Sequence, residues 1–213
     1  MKKSKIDQNP LVSIIIRTKN EERWISLCLN SVFSQDYKNI EVVIVDNHST
    51  DSTLKRIKSF PIKIVKIKKF LPGLAINLGI SKSKGDIIIC LSGHCIPTNK
   101  YWLTNLIKEL DDNNVAGVYG RQEPLSYSSD SDKRDLINLF GLDKKTQIKD
   151  PFFHNANSAF KRKIWKKIPF DKRITNIEDR DWAQKVINHG YKIIYNPDAS
   201  VYHWHGVHHD MNP

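Results

Sequence analysis

The sequence predicts an α/β fold in which a parallel sheet carries helices on both of its faces. In the first half of the chain, short aliphatic segments alternate at close intervals with segments of helical periodicity. This alternation is the pattern of parallel strands joined by crossover helices. The chain has 213 residues, and no linker-like stretch separates two independent parts. We therefore expect a single domain over residues 1–213.

The strands predicted in the first half are short runs rich in β-branched aliphatic residues, and the first two are predicted to be buried. These runs are Leu11–Ile16, Ile40–Val45, Ile62–Ile67 and Ile87–Leu91. Helices are predicted between and after them. The first follows Asn20, a residue type that caps helices, and continues with apolar residues at helical spacing. The others are a helix with Leu54 and Ile57 on one face, Leu74–Lys82 and Tyr101–Leu110.

The second half of the chain is less regular. Strands are predicted at Val115–Tyr119 and Tyr191–Tyr195, and Ser126–Asp132 is predicted to be a polar loop. Asn155 and Asn157 alternate along an extended segment that precedes a basic helix. The predicted helices of this half are Leu136–Phe140, Lys161–Lys167 and Asp179–Asn188.

The chain is basic, with 34 Lys and Arg against 23 acidic residues and a formal charge of +11. Residues 51–100 hold ten of the cations and only two acids. This balance is compatible with nucleic acid, an anionic membrane surface or phosphorylated small molecules as partners, and equally with a solvated lysine surface. No basic motif is interleaved with aromatic residues, so nucleic acid is not the predicted partner.

Two further features bear on the compartment. The aliphatic runs are far too short to span a bilayer, and no apolar stretch follows the basic segment Met1–Lys5, so a secretory signal is not expected. Cys28, Cys90 and Cys95 form no CxxC pair, which favours a reducing, cytoplasmic compartment.

Polar residues follow three of the predicted strands at the point where each strand ends. They are Arg17–Asn20, Asp46–Asn47 and Ser92–His94. Ligands of parallel α/β sheets bind at the carboxyl ends of the strands, so we expect a binding site to include these segments.

Two motifs at a defined spacing identify a family. The first is Val12–Glu22, with the sequence VSIIIRTKNEE, and the second is Val45–Asp51, with the sequence VDNHSTD. Together they resemble the family 2 glycosyltransferases of the GT-A fold, and the resemblance runs from about Leu11 to His205. Three further segments resemble a bacterial, rhamnosyltransferase-like subset of that family: Val118–Gln122, Asn155–Ala159 and Glu178–Trp182.

The resemblance implies a Rossmann-like, mixed but mostly parallel sheet and an enzyme that transfers a hexosyl or deoxyhexosyl unit with inversion. The donor would be a nucleotide sugar and the acceptor a glycan or a lipid-linked glycan, in cell-surface polysaccharide synthesis. Residues 11–110 would form the nucleotide-sugar-binding half, and residues 111–213 the acceptor and catalytic half. Such an enzyme would be cytoplasmic, with peripheral association at the inner face of the membrane as a further expectation.

The resemblance also implies a donor site, formed by Thr18, Asn20, Glu22, Asp46, Asn47, Asn77, Ser92 and His94. The Asp46 carboxylate could accept a hydrogen bond from a pyrimidine N3–H or from ribose hydroxyls, or it could instead cap the following turn. Asn47 stands where the family often has a second acid, which leaves uracil, thymine and cytosine open. A UDP- or dTDP-type donor is expected, and a CMP donor is not excluded. Ile76 stands where family members often have an arginine.

The main departure from the family is the absence of its Asp-x-Asp motif, whose carboxylates hold a divalent cation. Ser92 and His94 occupy the matching positions. His94 could ligate a transition metal such as Mn²⁺, donate a hydrogen bond to phosphate without a metal, or be structural. His203 is the nearer match to a late metal-ligating histidine of this fold, and His203 and His205 would share one face of a strand. Mn²⁺ or Mg²⁺ is therefore an open expectation.

Glu178–Asp181 resembles the acidic motif of the family before a helix. Asp179 is the expected general base, which removes the proton of the acceptor hydroxyl as its oxygen attacks the anomeric carbon. The alternative is that these acids only stabilise the helix N-terminus. The acceptor and sugar pocket is expected to include Arg121, Asn155, Asn157, Glu178 and Trp182, with Trp182 either stacking on a sugar or lying in the core.

Two other functions are compatible with parts of the sequence. A catalytically impaired, GT-A-like nucleotide-binding module of a larger assembly would explain the missing Asp-x-Asp motif. A nucleotidyltransferase on a related sheet would need a glycine-rich basic loop after the first strand, and Arg17–Glu22 contains no glycine.

Overall fold

The computed structural model describes residues 9–204, and His205 lies outside this range. Within it, nine strands form one mixed sheet in the order β3-β2-β1-β4-β8-β6-β9-β5, and β7 pairs with β9. The strands are β1 Val12–Thr18, β2 Ile40–Asp46, β3 Lys63–Lys66, β4 Ile87–Ser92, β5 Cys95–Pro97, β6 Val115–Pro124, β7 Lys145–Gln147, β8 Asn157–Lys161 and β9 Lys192–His203.

Helices cover both faces of the sheet, as the sequence predicts. They are α1 Ile25–Phe33, α2 Thr53–Arg56, α3 Pro72–Ser81, α4 Trp102–Ile107, α5 Asp130–Leu139, α6 Arg162–Lys167 and α7 Glu178–Asn188, and a 3₁₀ turn, Lys108–Asp111, follows α4. None of the helices in residues 9–204 has the length and apolar character that crossing a bilayer requires.

The pairing of the strands sets which residues share an edge. β1 is parallel to β2 and β4, and β2 is parallel to β3. β8 runs antiparallel to β4 and to β6, and β6 is parallel to β9. The carboxyl ends of β1, β2, β4 and β9 therefore lie at the same edge of the sheet, together with the start of β8. The expected mixed α/β sheet is confirmed.

Alternation along the strands sends apolar side chains into two cores, one on each face of the sheet. Ile14 and Ile16 of β1 face the core that contains α1 and α4. Ile15 faces the other core, which contains α3 and α7. Because the central strands are buried on both faces, consecutive aliphatic residues dominate their sequences, and this is why the sequence locates them well.

The local pattern misplaced several elements. Asn20 does not cap α1, because α1 begins at Ile25 and Asn20 has a left-handed φ of 56°. α5 begins inside the predicted polar loop, where the Ser129 side chain accepts a hydrogen bond from the backbone N–H of Asp132. β8 was missed, and β9 extends eight residues beyond Tyr195 to His203, since its outer half pairs with β5 and with the end of β6.

Candidate active site

At the shared edge, hydrogen bonds join the loop after β1 to the loop after β2. The Asn20 amide oxygen accepts from the backbone N–H of Thr50 at 2.9 Å, and the Asn20 backbone N–H donates to Ser49 Oγ at 3.0 Å. The Glu22 carboxylate accepts from the backbone N–H of Ser52 at 2.9 Å. The structure thus uses Asn20 and Glu22, which the resemblance assigns to donor binding, to join the loop after β1 to the loop after β2.

Asp46, at the end of β2, is fully buried. Its carboxylate accepts from Ser49 Oγ at 2.6 Å and from the Ser49 backbone N–H at 3.2 Å, with the hydroxyl of Thr18 at 3.5 Å. This geometry corresponds to the turn-capping alternative for Asp46. Asn47, the next residue, is half-exposed and faces the edge more openly.

Asn77 has a structural role in this arrangement. Its amide N–H donates to the Phe170 carbonyl at 2.8 Å, and its amide oxygen accepts from Trp165 Nε1 at 2.7 Å. The residue is buried. Asn77 therefore joins α3 to α6 and to the segment that leads into α7, rather than lining an open pocket.

A pair of histidines lies where β4 and β9 end. The Nε2 atoms of His94 and His203 are 3.0 Å apart, and their rings stack with centroids separated by 5.0 Å. His94 Nδ1 lies 2.7 Å from a carboxylate oxygen of Glu21. A Cβ added to Gly93 would lie 3.1 Å from Glu21 Cγ and 3.1 Å from Thr18 Cγ2. Glycine at this position thus lets the Glu21 stem pass close to the chain and reach His94.

The histidine pair fits a metal ion. Among the described residues, His94, Cys95 and His203 form a buried cluster whose ligand atoms lie within 4.8 Å of one another. Two nitrogen ligands bound to one ion at about 2.1 Å lie about 3.0 Å apart when the nitrogen–metal–nitrogen angle is a right angle. They lie about 3.4 Å apart when that angle is tetrahedral. The observed 3.0 Å falls in this span. Burial raises the pKa of the Cys95 thiol well above its usual range, so without a metal Cys95 is a neutral neighbour.

The acidic motif lies at the same edge, at the N-terminus of α7. Arg17 Nη1 lies 3.3 Å from the carboxylate of Glu178, and this ion pair joins β1 to α7. The next residue, Asp179, accepts from the backbone N–H of Asn155 at 3.4 Å and of Arg180 at 2.8 Å. Burial raises the pKa of Asp179, and the two backbone donors and the charge of Arg17 oppose this effect. A carboxylate with a raised pKa suits proton abstraction.

Two residues expected in the sugar pocket belong to the interior instead. Trp182 has no exposed surface, packs against the ring of Phe153 with centroids 5.1 Å apart, and donates to the Ile168 carbonyl. It is a core residue, so the stacking alternative is wrong in this structure. Asn157 is also fully buried, and its amide bonds to Trp102 and to the Ala199 carbonyl, which excludes contact with a sugar here.

The other expected site residues lie beside the acidic motif or towards the carboxyl ends of β6 and β4. Asn155 is buried beside Asp179, and its Nδ2 has no hydrogen-bond partner among the described residues. Arg121 is half-buried and lies 3.5 Å from the Glu123 carboxylate. Ser92 is half-exposed at the end of β4.

The sequence motifs assign no role to Glu21, and they place Arg17 only within the polar segment after the first strand. The contacts of Glu21 with His94 and of Arg17 with Glu178 join segments that are far apart in the chain, so no local pattern indicates them.

The mixed sheet, with helices on both faces and the polar groups at one edge, has the GT-A fold of solved glycosyltransferases. The mannosyltransferase PcManGT from Pyrobaculum calidifontis, solved with GDP-Man and Mn²⁺, superposes with a TM-score of 0.74 at 24% identity over 95% of this chain and 58% of that one. S. aureus TarS superposes with a TM-score of 0.72 at 19% identity, over 91% of this chain and 60% of that one. At these identities the likeness establishes the fold.

The profile of Glycosyl transferase family 2 matches residues 13–168, and the chain belongs to this family. A Methanococcus voltae relative, dolichyl N-acetyl-alpha-D-glucosaminyl phosphate 3-beta-D-2,3-diacetamido-2,3-dideoxy-beta-D-glucuronosyltransferase, is 31% identical over 88% of this chain and 64% of its own length. The O-antigen chain rhamnosyltransferase RfbN of Salmonella typhimurium is 27% identical over 91% of this chain and 66% of its own length. The predicted family is confirmed. The chain spans slightly under two thirds of the length of these two relatives.

Proposed function

We propose that this chain carries the catalytic domain of an inverting glycosyltransferase. It transfers a hexosyl or deoxyhexosyl unit from a nucleoside-diphosphate sugar to a glycan or lipid-linked acceptor in the synthesis of a cell-surface polysaccharide. Residues 11–110 bind the donor, and residues 111–213 supply the acceptor site and the base. Family membership and the names of the relatives support this assignment. The observation that carries it is the placement of Asp179 at the strand-end edge, beside Arg17–Glu178 and Asn155.

Asp179 is the general base of the proposed reaction. Its carboxylate takes the proton of the acceptor hydroxyl while that oxygen bonds to the anomeric carbon. The bond from the anomeric carbon to the diphosphate oxygen breaks, and the nucleoside diphosphate leaves with the bonding electron pair. Arg17 and Glu178 hold the start of α7 against β1, so that Asp179 keeps its place at the edge. The Nδ2 of Asn155, which has no hydrogen-bond partner among the described residues, is buried beside the base, and the backbone N–H of Asn155 donates to Asp179 and holds it.

A divalent cation belongs to this proposal because the residues present fit one. His94 and His203 would hold it, and it would supply positive charge against the leaving diphosphate. Solved structures of the same fold contain Mn²⁺ with GDP-Man and with UDP and GalNAc. Ser92, at the end of β4, and Asn47, after β2, are half-exposed polar groups at the same edge and would contact the diphosphate and the nucleoside.

The proposed donor is of the UDP or dTDP type. Neighbours in fold bind GDP-Man, UDP and UDP-GlcNAc, so this fold accepts more than one base. We also propose that the domain works at the cytoplasmic face of a membrane. Residues 52–85 contain nine Lys and Arg and no acid, and none of the nine takes part in an ion pair within residues 9–204. An unneutralised basic surface attracts anionic lipid headgroups.

The experiment is a donor screen with a matched pair of variants. The wild-type protein is expected to be stabilised in thermal shift by a pyrimidine nucleoside diphosphate and to release that nucleotide from its sugar donor. Asp179→Asn should lower turnover by about 100- to 10,000-fold and keep nucleotide binding. The control Asp181→Asn removes a carboxylate from the same helix that pairs only with Lys185 at 2.6 Å, and should stay active. A fully active Asp179→Asn variant would exclude Asp179 as base.

The missing Asp-x-Asp motif also favours a second function, a nucleotide-binding module without catalysis. That alternative predicts nucleotide binding by the wild-type protein with neither hydrolysis nor transfer of any donor, whatever divalent metal is added.

A further inference from the structure

We propose that Glu21 is a positioning residue for a two-imidazole metal site, formed by His94 and His203, that selects a transition-metal dication such as Mn²⁺ or Co²⁺ over Mg²⁺. The inference rests on the proposed function for the location of the site, because the site lies where a donor diphosphate would bind. It goes beyond that function in naming the kind of metal and the residue that prepares its ligands.

The contact between Glu21 and His94 prepares His94 as a ligand. The carboxylate oxygen lies 2.7 Å from Nδ1, and the two side chains are 13% and 10% exposed. A carboxylate at this position accepts a hydrogen bond from Nδ1–H, which keeps the proton on Nδ1 and leaves the lone pair of Nε2 for a metal. This carboxylate–histidine arrangement is the one that orients and strengthens histidine ligands in metal sites. Nε2 is also the atom that faces His203.

The chemistry of the cluster determines which ion it prefers. None of its three members, His94, Cys95 and His203, is a carboxylate, and the neighbouring carboxylate of Glu21 is directed to Nδ1 of His94. Mg²⁺ requires oxygen ligands in octahedral geometry and gives up its water reluctantly. Imidazole nitrogen and sulfur suit borderline and softer ions instead. Replacing two aspartates by a serine and a histidine therefore moves the preference of the site away from Mg²⁺.

The same short segment also supports the second histidine. The Arg23 guanidinium lies 4.4 Å from the ring centroid of Trp204 and 4.7 Å from that of Trp24, and the two indole rings are 4.9 Å apart. Trp204 follows His203 directly, so this stack fixes the end of β9 against the start of α1. Residues 21–24 thus hold His94 through a carboxylate and His203 through its neighbour in the chain.

The test measures metal binding without turnover. Mn²⁺ is titrated into the purified protein and followed by the loss of the free-ion EPR signal, first alone and then with UDP or GDP. Co²⁺ is followed by its visible absorption. We expect one tightly bound ion per chain, and Mg²⁺ in about 100-fold excess should displace less than half of the Mn²⁺. Equal competition by Mg²⁺, or no Mn²⁺ or Co²⁺ binding with and without nucleotide, overturns the proposal and favours a hydrogen-bonded histidine pair.

Three variants separate positioning from folding. Glu21→Ala should weaken Mn²⁺ binding by about 10- to 100-fold, the usual effect of losing a residue that orients a ligand. Glu109→Gln, which removes an acid paired with Lys144 on another surface, should bind Mn²⁺ like the wild type. His203→Asp keeps the Glu21–His94 contact, adds a carboxylate, and should shift the ratio of Mn²⁺ to Mg²⁺ affinity towards Mg²⁺. Misfolding cannot produce such a shift, and an unchanged ratio in His203→Asp contradicts the assignment.

The outcomes also distinguish this inference from the proposed function. Nucleotide binding and sugar transfer that persist in strong chelator, with no Mn²⁺ or Co²⁺ bound, would reject the metal site and keep the transferase. Tight Mn²⁺ binding without stabilisation by any nucleotide would keep the metal site and reject the transferase.

Discussion

Replacing Arg17 by methionine should destabilise the fold strongly, because Arg17 neutralises a buried carboxylate. Glu178 is 4% exposed and has no other ion-pair partner among the described residues. Arg17→Met keeps much of the apolar stem but leaves that carboxylate uncompensated. Breaking a buried pair in this way costs about 3–5 kcal/mol. The Arg17 side chain is 18% exposed, so solvent partly screens the pair and the expected loss lies near the lower end, at about 3 kcal/mol.

Urea unfolding of a double-mutant cycle measures this effect. The cycle compares Arg17→Met, Glu178→Gln and the double variant with the wild type. We expect a coupling free energy between the two side chains of about 0.5–3 kcal/mol. Its sign should make the double variant more stable than the sum of the two single losses predicts. Arg173→Met is the control, since its partner Asp171 lies at the surface and the Arg173 side chain is 88% exposed. We expect less than about 1 kcal/mol for this control. An Arg17→Met loss no larger than that of the control would refute the reasoning.

The same substitution should shift the pH dependence of turnover. The charge of Arg17 lowers the pKa of Asp179 and thereby opposes the effect of burial. Without Arg17 the pKa of Asp179 rises further. A general base must be ionised, so the acid limb of the profile of kcat/KM against pH should move to higher pH in Arg17→Met. An acid limb that stays in place would show that Arg17 does not act on the base.

Three further changes have expected outcomes. The pKa of Asp179 is raised in the folded state, so the native protein loses stability as pH rises from the unfolded pKa through the folded one. Asp179→Asn removes this loss. In urea unfolding it should therefore be more stable than the wild type at pH 8, and equally stable at a pH below both pKa values. Trp182→Ala removes a fully buried indole and should cost about 3–5 kcal/mol in the same assay, whereas an exposed sugar platform would cost little. Cys28, Cys90 and Cys95 should resist iodoacetamide in the native protein and react in urea, because burial raises the pKa of each thiol, that of Cys90 to about 12; rapid native alkylation would contradict their burial.

The central strands could be predicted from the sequence because local composition alone specifies them. β1, β2 and β4 are largely buried on both faces, so each contains a run of at least three consecutive aliphatic residues. β8 could not be found in this way. It begins with Asn157 and Ser158, which are polar, and the amide of Asn157 is satisfied by the Ala199 carbonyl, 42 residues further along the chain. A polar residue whose partner lies so far away resembles a loop residue in any local window.

In the candidate site, too, the sequence could indicate some residues and not others. Asp179 and His94 could be identified because they follow predicted elements at motif positions. The roles of Asn20 and Glu22 could not, since their side chains accept from backbone N–H groups of the loop after β2, about 30 residues away. Glu21 is the clearest case, because its partner His94 is 73 residues distant and meets it only when β1 and β4 pair.

The contacts of the acids at this edge, together with the raised pKa of Asp179, support Asp179 as the general base without reference to the family. Among the described residues, Glu21 is held by a histidine, Asp46 by a serine hydroxyl and its backbone N–H, Glu178 by an arginine, and Asp181 by a lysine. Asp179 accepts from backbone N–H groups, as Glu22 does, but burial raises the pKa of Asp179. The raised pKa makes the Asp179 carboxylate a stronger proton acceptor and so suits a general base. The other acids at this edge thus hold its loops and strands in place, whereas Asp179 combines backbone donors with a raised pKa, as a general base requires.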